Sequence, residues 1–267
     1  MGLFGKLFEK KTCAICGGEI GLLGNRKLED GNLCKQCASK LSPWFSERRS
    51  STVAEIAEQL EYRERNQEKV AAFHVTRTLG RYTKLLLDED NRRFMVTSAR
   101  NLAEANPDVL DYSDVTGCDL DIEESRAEEE EEEKKTETSE QQEKPAVHRP
   151  QIKRYRYNYD FYLNIYVNNP YFSRIRFRIN SSTVEVEHVR ETVRGLVPDP
   201  RNTPDYLEYC EMGNQMKDAL TTVREQARTE AEAAQMPKQT VTCPWCGAST
   251  TPTENGCCEY CGGALND

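Results

Sequence analysis

Cysteine spacing is the strongest chemical signal in this chain. Eight of its 11 cysteines fall into two quartets: Cys13, Cys16, Cys34 and Cys37 as C-x2-C-x17-C-x2-C, and Cys243, Cys246, Cys258 and Cys261 as C-x2-C-x11-C-x2-C. A two-residue spacer lets one tight turn present both sulfurs to a tetrahedral Zn²⁺ at about 2.3 Å, and the second pair closes the sphere. Glycine follows the ligand pair at Gly17, Gly247 and Gly262, where a backbone curling under a metal needs positive φ. Two structural Zn²⁺ ions are therefore the expected cofactors. With all four places taken by cysteine, neither ion keeps an open position for a water nucleophile.

Thioredoxin-like redox chemistry would want a single C-x-x-C beside a βαβ pattern, and none is present. Of the remaining cysteines, Cys257 adjoins Cys258, but the two-residue spacer to Cys261 favours Cys258 as the ligand. Cys118, in an alternating run, and Cys210, on a helical face, read as small buried hydrophobes.

Catalysis is not expected. His74, His148 and His188 belong to no HExxH, triad or other catalytic signature, and the chain has no glycine-rich phosphate loop. Asp88, Asp90, Asp119 and Asp121 read as solvated turn or strand residues rather than acid–base pairs. No small-molecule substrate is expected either.

The metal modules need elements around them, and 267 residues allow two or three small units. Leu3, Phe4, Leu7 and Phe8 give residues 1–12 the pattern of an amphipathic stub, packed on the first metal module or touching a membrane surface. Residues 13–45 form the N-terminal zinc module, whose second ligand pair opens a short helix. Thr52 and Glu55 make a capping box, and Val53, Ile56, Leu60 and Val70 mark one face of a connector helix over residues 51–71; its other face reads as charged and solvated. From Phe73 the period turns to strand, with a hairpin of Lys84 to Leu87 and Arg92 to Val96 around Asp88 to Asn91. A further strand-like run covers Val115 to Ile122.

Residues 123–151 read as an acidic disordered insert. Between Asp119 and Lys144 there are 13 acids against 4 bases, which equals the whole net charge of −9. Beyond it Tyr155, Tyr157, Tyr159, Phe161, Leu163, Ile165 and Val167 share one strand face. Asn168 to Pro170 turn the chain, and the return strand sets Ile175, Phe177 and Ile179 against Arg174, Arg176 and Arg178. Tyr206, Cys210, Met216, Leu220, Val223 and Ala227 mark a closing helix to about residue 233, with a bend or weak packing expected at Gly213. The expected fold class is α+β multidomain, with two small zinc modules flanking a split antiparallel β-sheet or barrel. That split domain takes residues 73–122 and 152–233, and the C-terminal zinc ribbon takes residues 240–267.

Three resemblances accompany this reading. Cys13-Ala14-Ile15-Cys16-Gly17-Gly18-Glu19-Ile20, then Gly21-Leu22-Leu23 and Cys34-Lys35-Gln36-Cys37, resemble the zinc-finger or ribbon module of an uncharacterised bacterial domain family, which implies zinc and lends no activity. Cys243-Pro244-Trp245-Cys246-Gly247 with Cys258-Glu259-Tyr260-Cys261-Gly262 is similar to the generic zinc-ribbon tail of many bacterial proteins. The order of strands and closing helix resembles pleckstrin-homology-like or GRAM-like barrels.

No apolar run reaches the length of a spanning helix and no secretory signal is evident, so a cytoplasmic protein is expected. Its function is expected to be interaction or scaffolding, displaying surfaces to a protein partner or, through the stub and the basic strand face, to an anionic membrane surface. The alternative is nucleic-acid binding by Arg154, Arg156, Arg174, Arg176 and Arg178 interleaved with tyrosines. It ranks second because residues 239–267 hold no Lys or Arg.

Overall fold

The computed structural model describes residues 11–129, 153–190, 198–235, 240–253 and 255–265. The fold is α+β, with several antiparallel sheets and a cysteine cluster towards each end of the chain. It forms two compact units, Met1–Arg224 and Glu225–Asp267. Residues 1–10 of the expected stub lie outside the described residues, while Lys11 and Thr12 belong to the first strand.

Four two-residue strands build the N-terminal module. β1 (Lys11–Thr12) pairs with β2 (Glu19–Ile20), and β3 (Arg26–Lys27) pairs with β4 (Asn32–Leu33). A short α1 (Lys35–Ala38) follows. Strands this small bury almost nothing, and the module's core is correspondingly thin: Cys13, Leu28, Leu33, Cys37, Leu41 and Ile56. Ile56 comes from the next helix, α2 (Val53–Ala71), which starts with the Thr52–Glu55 capping box.

Helix α2 is more than a connector. Val53, Ile56 and Leu60 pack into the metal module, whereas Val70 packs with Leu86, Met95 and Val109 of the following sheet. Between these two ends Gln59, Arg63 and Asn66 are buried. The polar residues read as a solvated face therefore continue the same buried stripe, because a second structure covers the helix there.

That cover is a meander of β5 (Arg77–Leu79), β6 (Lys84–Asp88), β7 (Arg93–Thr97), the short helix α3 (Leu102–Ala105) and β8 (Val109–Asp111). The β6–β7 hairpin turns on Asp88, which is fully buried. Its carboxylate accepts from His74 N at 2.9 Å and Asn91 N at 3.0 Å. Burial pushes the Asp88 carboxyl up, but these donors outweigh it and hold it below its ordinary value.

A second sheet follows, so the single split sheet expected from the strand pattern is in fact two. β10 (Arg154–Val167) is its centre. β9 (Val115–Glu129) pairs along its whole length, while β11 (Arg174–Arg178) and β12 (Val184–Arg190) divide its other edge. Asn180 marks the division: its side-chain oxygen accepts from Phe161 N at 2.9 Å, standing in for a strand neighbour. Among the described residues neither sheet closes into a barrel.

The acidic stretch begins later than its composition indicates. β9 continues through Glu129, and Glu129 lies opposite Arg154 at the base of a long hairpin. The acids of this exposed end of β9 meet basic partners, Glu123 with Arg176, Glu124 with Arg201, Glu128 with Lys153 and Glu129 with Arg156, which lets a Glu-rich sequence extend a strand. Residues 130–152 lie outside the described residues. Since Glu129 and Arg154 already pair, replacing residues 131–151 with a short Gly/Ser linker is expected to leave the thermal transition within about 1 kcal/mol of wild type, because closure cost changes slowly with loop length. Calorimetry of the two chains checks this.

Helix α4 (Pro204–Gln235) covers the aromatic face of the second sheet. Tyr206 meets Tyr159 and Phe161 edge-on at 4.8 and 5.2 Å between ring centroids. Gly213 is not a weak point. It is buried against the sheet, where a Cβ would stand 2.5 Å from Leu120 Cδ1 and 3.1 Å from Ile179 Cδ1. In the second unit, β13 (Val241–Thr242) pairs with β14 (Ser249–Thr250).

Candidate metal centres and the charged sheet face

In the first quartet, Cys13 closes a knuckle through two backbone bonds: Cys13 N to Gly18 O and Gly17 N to Cys13 O, both 2.9 Å. Gly17 takes φ +71° to complete the turn. The other pair is built differently. Cys34 caps α1, and Cys37 N donates to Cys34 Sγ at 3.3 Å, so a helix start replaces the glycine turn. Cys34 N in turn donates to Cys13 Sγ at 3.3 Å, tying the pairs together.

The second quartet uses the glycine knuckle twice. Cys243 N bonds Ala248 O and Cys258 N bonds Gly263 O, each at 2.8 Å, with Gly247 at φ +70° and Gly262 at φ +72°. Trp245 lies against Gly263, where a Cβ would stand 2.6 Å from the indole ring, and its Nε1 donates to Ala264 O at 3.1 Å. Cys257 is turned away from the cluster, its thiol towards Asn255 O.

Each quartet brings four sulfurs within 4.8 Å of one another. The separations of Cys16–Cys34, Cys243–Cys261 and Cys246–Cys258 are 3.8, 3.6 and 3.7 Å. A tetrahedron with metal–sulfur bonds of about 2.3 Å has edges of about 3.8 Å. The donor sets thus fit a tetrahedral thiolate-bound ion, and both sites could hold zinc. One sulfur in each is set up as a thiolate. Burial raises the Cys13 and Cys258 thiols, but hydrogen bonds outweigh it and bring both down to about 6. The donors are backbone N–H groups of Cys16, Cys34 and Ile15 for Cys13, and of Cys261 and Tyr260 for Cys258. Outside the quartets, Cys118 and Cys210 are half-buried rather than buried as expected, and burial still pushes the Cys118 thiol up to about 12, away from thiolate reactivity.

The arginine face of the second sheet differs from the bare basic surface its alternation implies. β9 places Asp119, Asp121 and Glu123 opposite Asn164, Tyr162 and Asp160 of β10, on the side that carries the arginines. Arg176 reaches Asp121 and Glu123 at 2.5 Å each and stacks over Tyr162 at 4.0 Å. Arg178 pairs with Asp160, and Arg156 with Glu129 and Glu187. Each of these three cations meets a carboxylate. The charge balance depends on cross-strand register, which no local window of sequence contains.

The other candidates stay apart. His74 lies 2.9 Å from Asp90 on an exposed turn and belongs to neither quartet. Asp119 accepts from Asn164 Nδ2 at 2.9 Å. His148 lies outside the described residues.

A polar cluster escaped the sequence reading. Asp108, with a fully buried side chain, takes Arg63 Nη1 at 2.8 Å and Ser42 Oγ at 2.8 Å. Arg63 also donates to Lys40 O at 3.2 Å and to Asn106 O. Asn66 completes the cluster, donating to Asn106 Oδ1 at 2.7 Å and accepting from Val109 N at 2.9 Å. The metal module, α2 and the first sheet all contribute to it. The i, i+3, i+7, i+10 spacing of Ile56, Gln59, Arg63 and Asn66 was its one available signal.

Comparison with known proteins gives one family. A domain of unknown function (DUF4428) matches residues 12–59, which span the first quartet and end inside α2. No curated protein and no solved structure matches the chain. The match supports an uncharacterised N-terminal domain with a four-cysteine site.

Proposed function

We propose that this protein is a non-catalytic interaction or scaffold protein whose terminal modules are stapled by two zinc ions. The observation that carries the reading is the closed tetrahedral sulfur set at both sites. Four thiolates satisfy zinc completely, so the metal supplies folding energy to modules too small to fold on apolar burial alone. Persistent thiolates suit a reducing compartment such as the cytoplasm. No described helix is long and apolar enough to cross a membrane. Protein partners would be recognised by surfaces the staples hold in shape.

Cobalt substitution tests the closed sites. Both Co²⁺ ions are expected to show tetrahedral thiolate spectra that cyanide or azide leaves unchanged, because neither has a free coordination place. A spectral shift on adding the anion would reveal an open site and overturn the non-catalytic reading.

One observation favours nucleic-acid binding as a second reading: a surface groove of about 510 Å³ lined by Trp44, Tyr166, Tyr171, Phe172, Arg174 and Arg176 among others. Aromatic rings beside guanidinium groups can stack single-stranded bases. The carboxylates paired with Arg176 weigh against phosphate contact there. Titration of labelled oligonucleotides at two salt concentrations decides: tight, steeply salt-dependent binding would promote the second reading.

A further inference from the structure

Two leucines stand at the tip of the N-terminal metal module with nothing in the described chain over them. Leu22 is 84% exposed and Leu23 is 93% exposed. They are the central residues of a tight turn closed by Gly24 N donating to Gly21 O at 2.9 Å. Scattered exposed leucines need no explanation, but two adjacent ones at the apex of a turn form a projecting apolar point. Its root is firm, because Ile20 packs on the module core.

The chain following the turn enters a largely basic cleft of about 780 Å³, lined by Arg26, Lys27, Arg48 and Arg49 and by one acid, Glu29. Arg26 Nη1 donates to Leu23 O at 3.3 Å, placing its guanidinium beside the leucines. Arg48 Nη1 donates to Lys27 O at 2.8 Å and joins the far side of the cleft to β3. On the second sheet Arg156, Arg176 and Arg178 each meet a carboxylate, whereas among the described residues the Arg26–Lys27–Arg48–Arg49 cluster forms no ion pair.

An apolar point flanked by a majority of cations fits a surface that offers apolar chains and negative charge together. The interface of an anionic bilayer offers acyl chains a few ångströms below a layer of negative headgroups. A soluble anion would engage the cations and ignore the leucines. We propose that the Leu22–Leu23 turn and the adjoining Arg26–Lys27–Arg48–Arg49 cleft dock the N-terminal module onto an anionic lipid surface. This rests on the interaction reading and names a lipid partner for it.

The test is co-sedimentation of the zinc-loaded full chain with phosphatidylcholine vesicles containing about one-third phosphatidylserine, at low and near-physiological salt. Wild type is expected to bind these vesicles, to bind less as salt rises, and to ignore pure phosphatidylcholine. L22A/L23A is expected to weaken partitioning about tenfold. K27E/R49E is expected to weaken it by at least about 25-fold, since each basic residue near the surface contributes about fivefold. All four side chains lie at the surface, and unchanged zinc content and thermal transition confirm that the variants fold. Equal binding by L22A/L23A and wild type, or equal binding to neutral vesicles, overturns the proposal. So does displacement by inorganic phosphate with no dependence on the leucines, which would show an anion cleft only. Wild type that binds vesicles without holding zinc would sink the stapled-module reading and leave the docking surface standing. Zinc-loaded wild type that ignores anionic vesicles would sink the docking surface alone.

Discussion

Cys13→Ala is expected to lower the metal content from two zinc ions per chain to one and to unfold the N-terminal module. Cys13 is both a ligand candidate and a core residue, 2% exposed, packed in the cluster with Leu28, Leu33, Cys37, Leu41 and Ile56. Four strands of two residues each cannot hold that cluster together. Binding of a structural zinc supplies about 10–16 kcal/mol of apparent free energy in small modules, more than the whole stability of most domains. Three remaining sulfurs would bind the ion weakly, and the core would open.

The loss should propagate along α2 by a predictable distance. Val53, Ile56 and Leu60 lose the surface they pack on, whereas Val70 keeps Leu86, Met95 and Val109. Hydrogen exchange is therefore expected to lose protection over the first two turns of α2 and retain it over the last. Cys243→Ala should remove the other ion and leave α2 protection unchanged. Two zinc ions in Cys13→Ala, or uniform protection of α2 in that variant, would contradict this account.

What the sequence revealed follows the range over which each feature is specified. The cysteine quartets are legible because a C-x2-C turn is local and thiolate–zinc geometry admits few spacings. The Thr52–Glu55 box and the β6–β7 hairpin are legible for the same reason. Tyr155 to Val167 show their buried face through strict alternation. The arginines of the second sheet were misread because Asp121, Glu123 and Arg176 meet only through pairings of β9 and β11 with β10. Composition assigned those acids to a solvated run, whereas register puts them beside cations. Gly213 misled for a related reason: helix propensity penalises glycine, but here the glycine lets the helix pack close on the Leu120 and Ile179 side chains. Arg63 and Asn66 were invisible because a polar residue on a helix reads as solvated until a covering element is known.

Removing Arg63 gives the largest expected loss outside the metal centres. Arg63 is the cation on Asp108, and the two side chains are 7% and 0% exposed. Breaking a buried pair from one side leaves an uncompensated charge, which costs about 3–5 kcal/mol. Arg63→Ala should therefore destabilise the first unit by about that amount at neutral pH, measured by urea unfolding, while R63M/D108L should recover much of it by burying apolar surface instead. A pH signature separates charge burial from lost packing. Burial already raises the Asp108 carboxyl despite the opposing pull of Arg63 and the Ser42 hydroxyl. Without Arg63 it must rise further, so the folded variant takes up a proton that the unfolded chain, at about 3.9, does not hold. A group raised in the folded state contributes stability below its unfolded value and loses it as pH climbs through the folded one. The gap between wild type and Arg63→Ala is thus expected to narrow as pH falls from the folded carboxyl value of the variant towards the lower folded value of wild type. A gap constant across that range would assign the loss to packing by the arginine stem, and the buried charge at Asp108 would cease to be its cause.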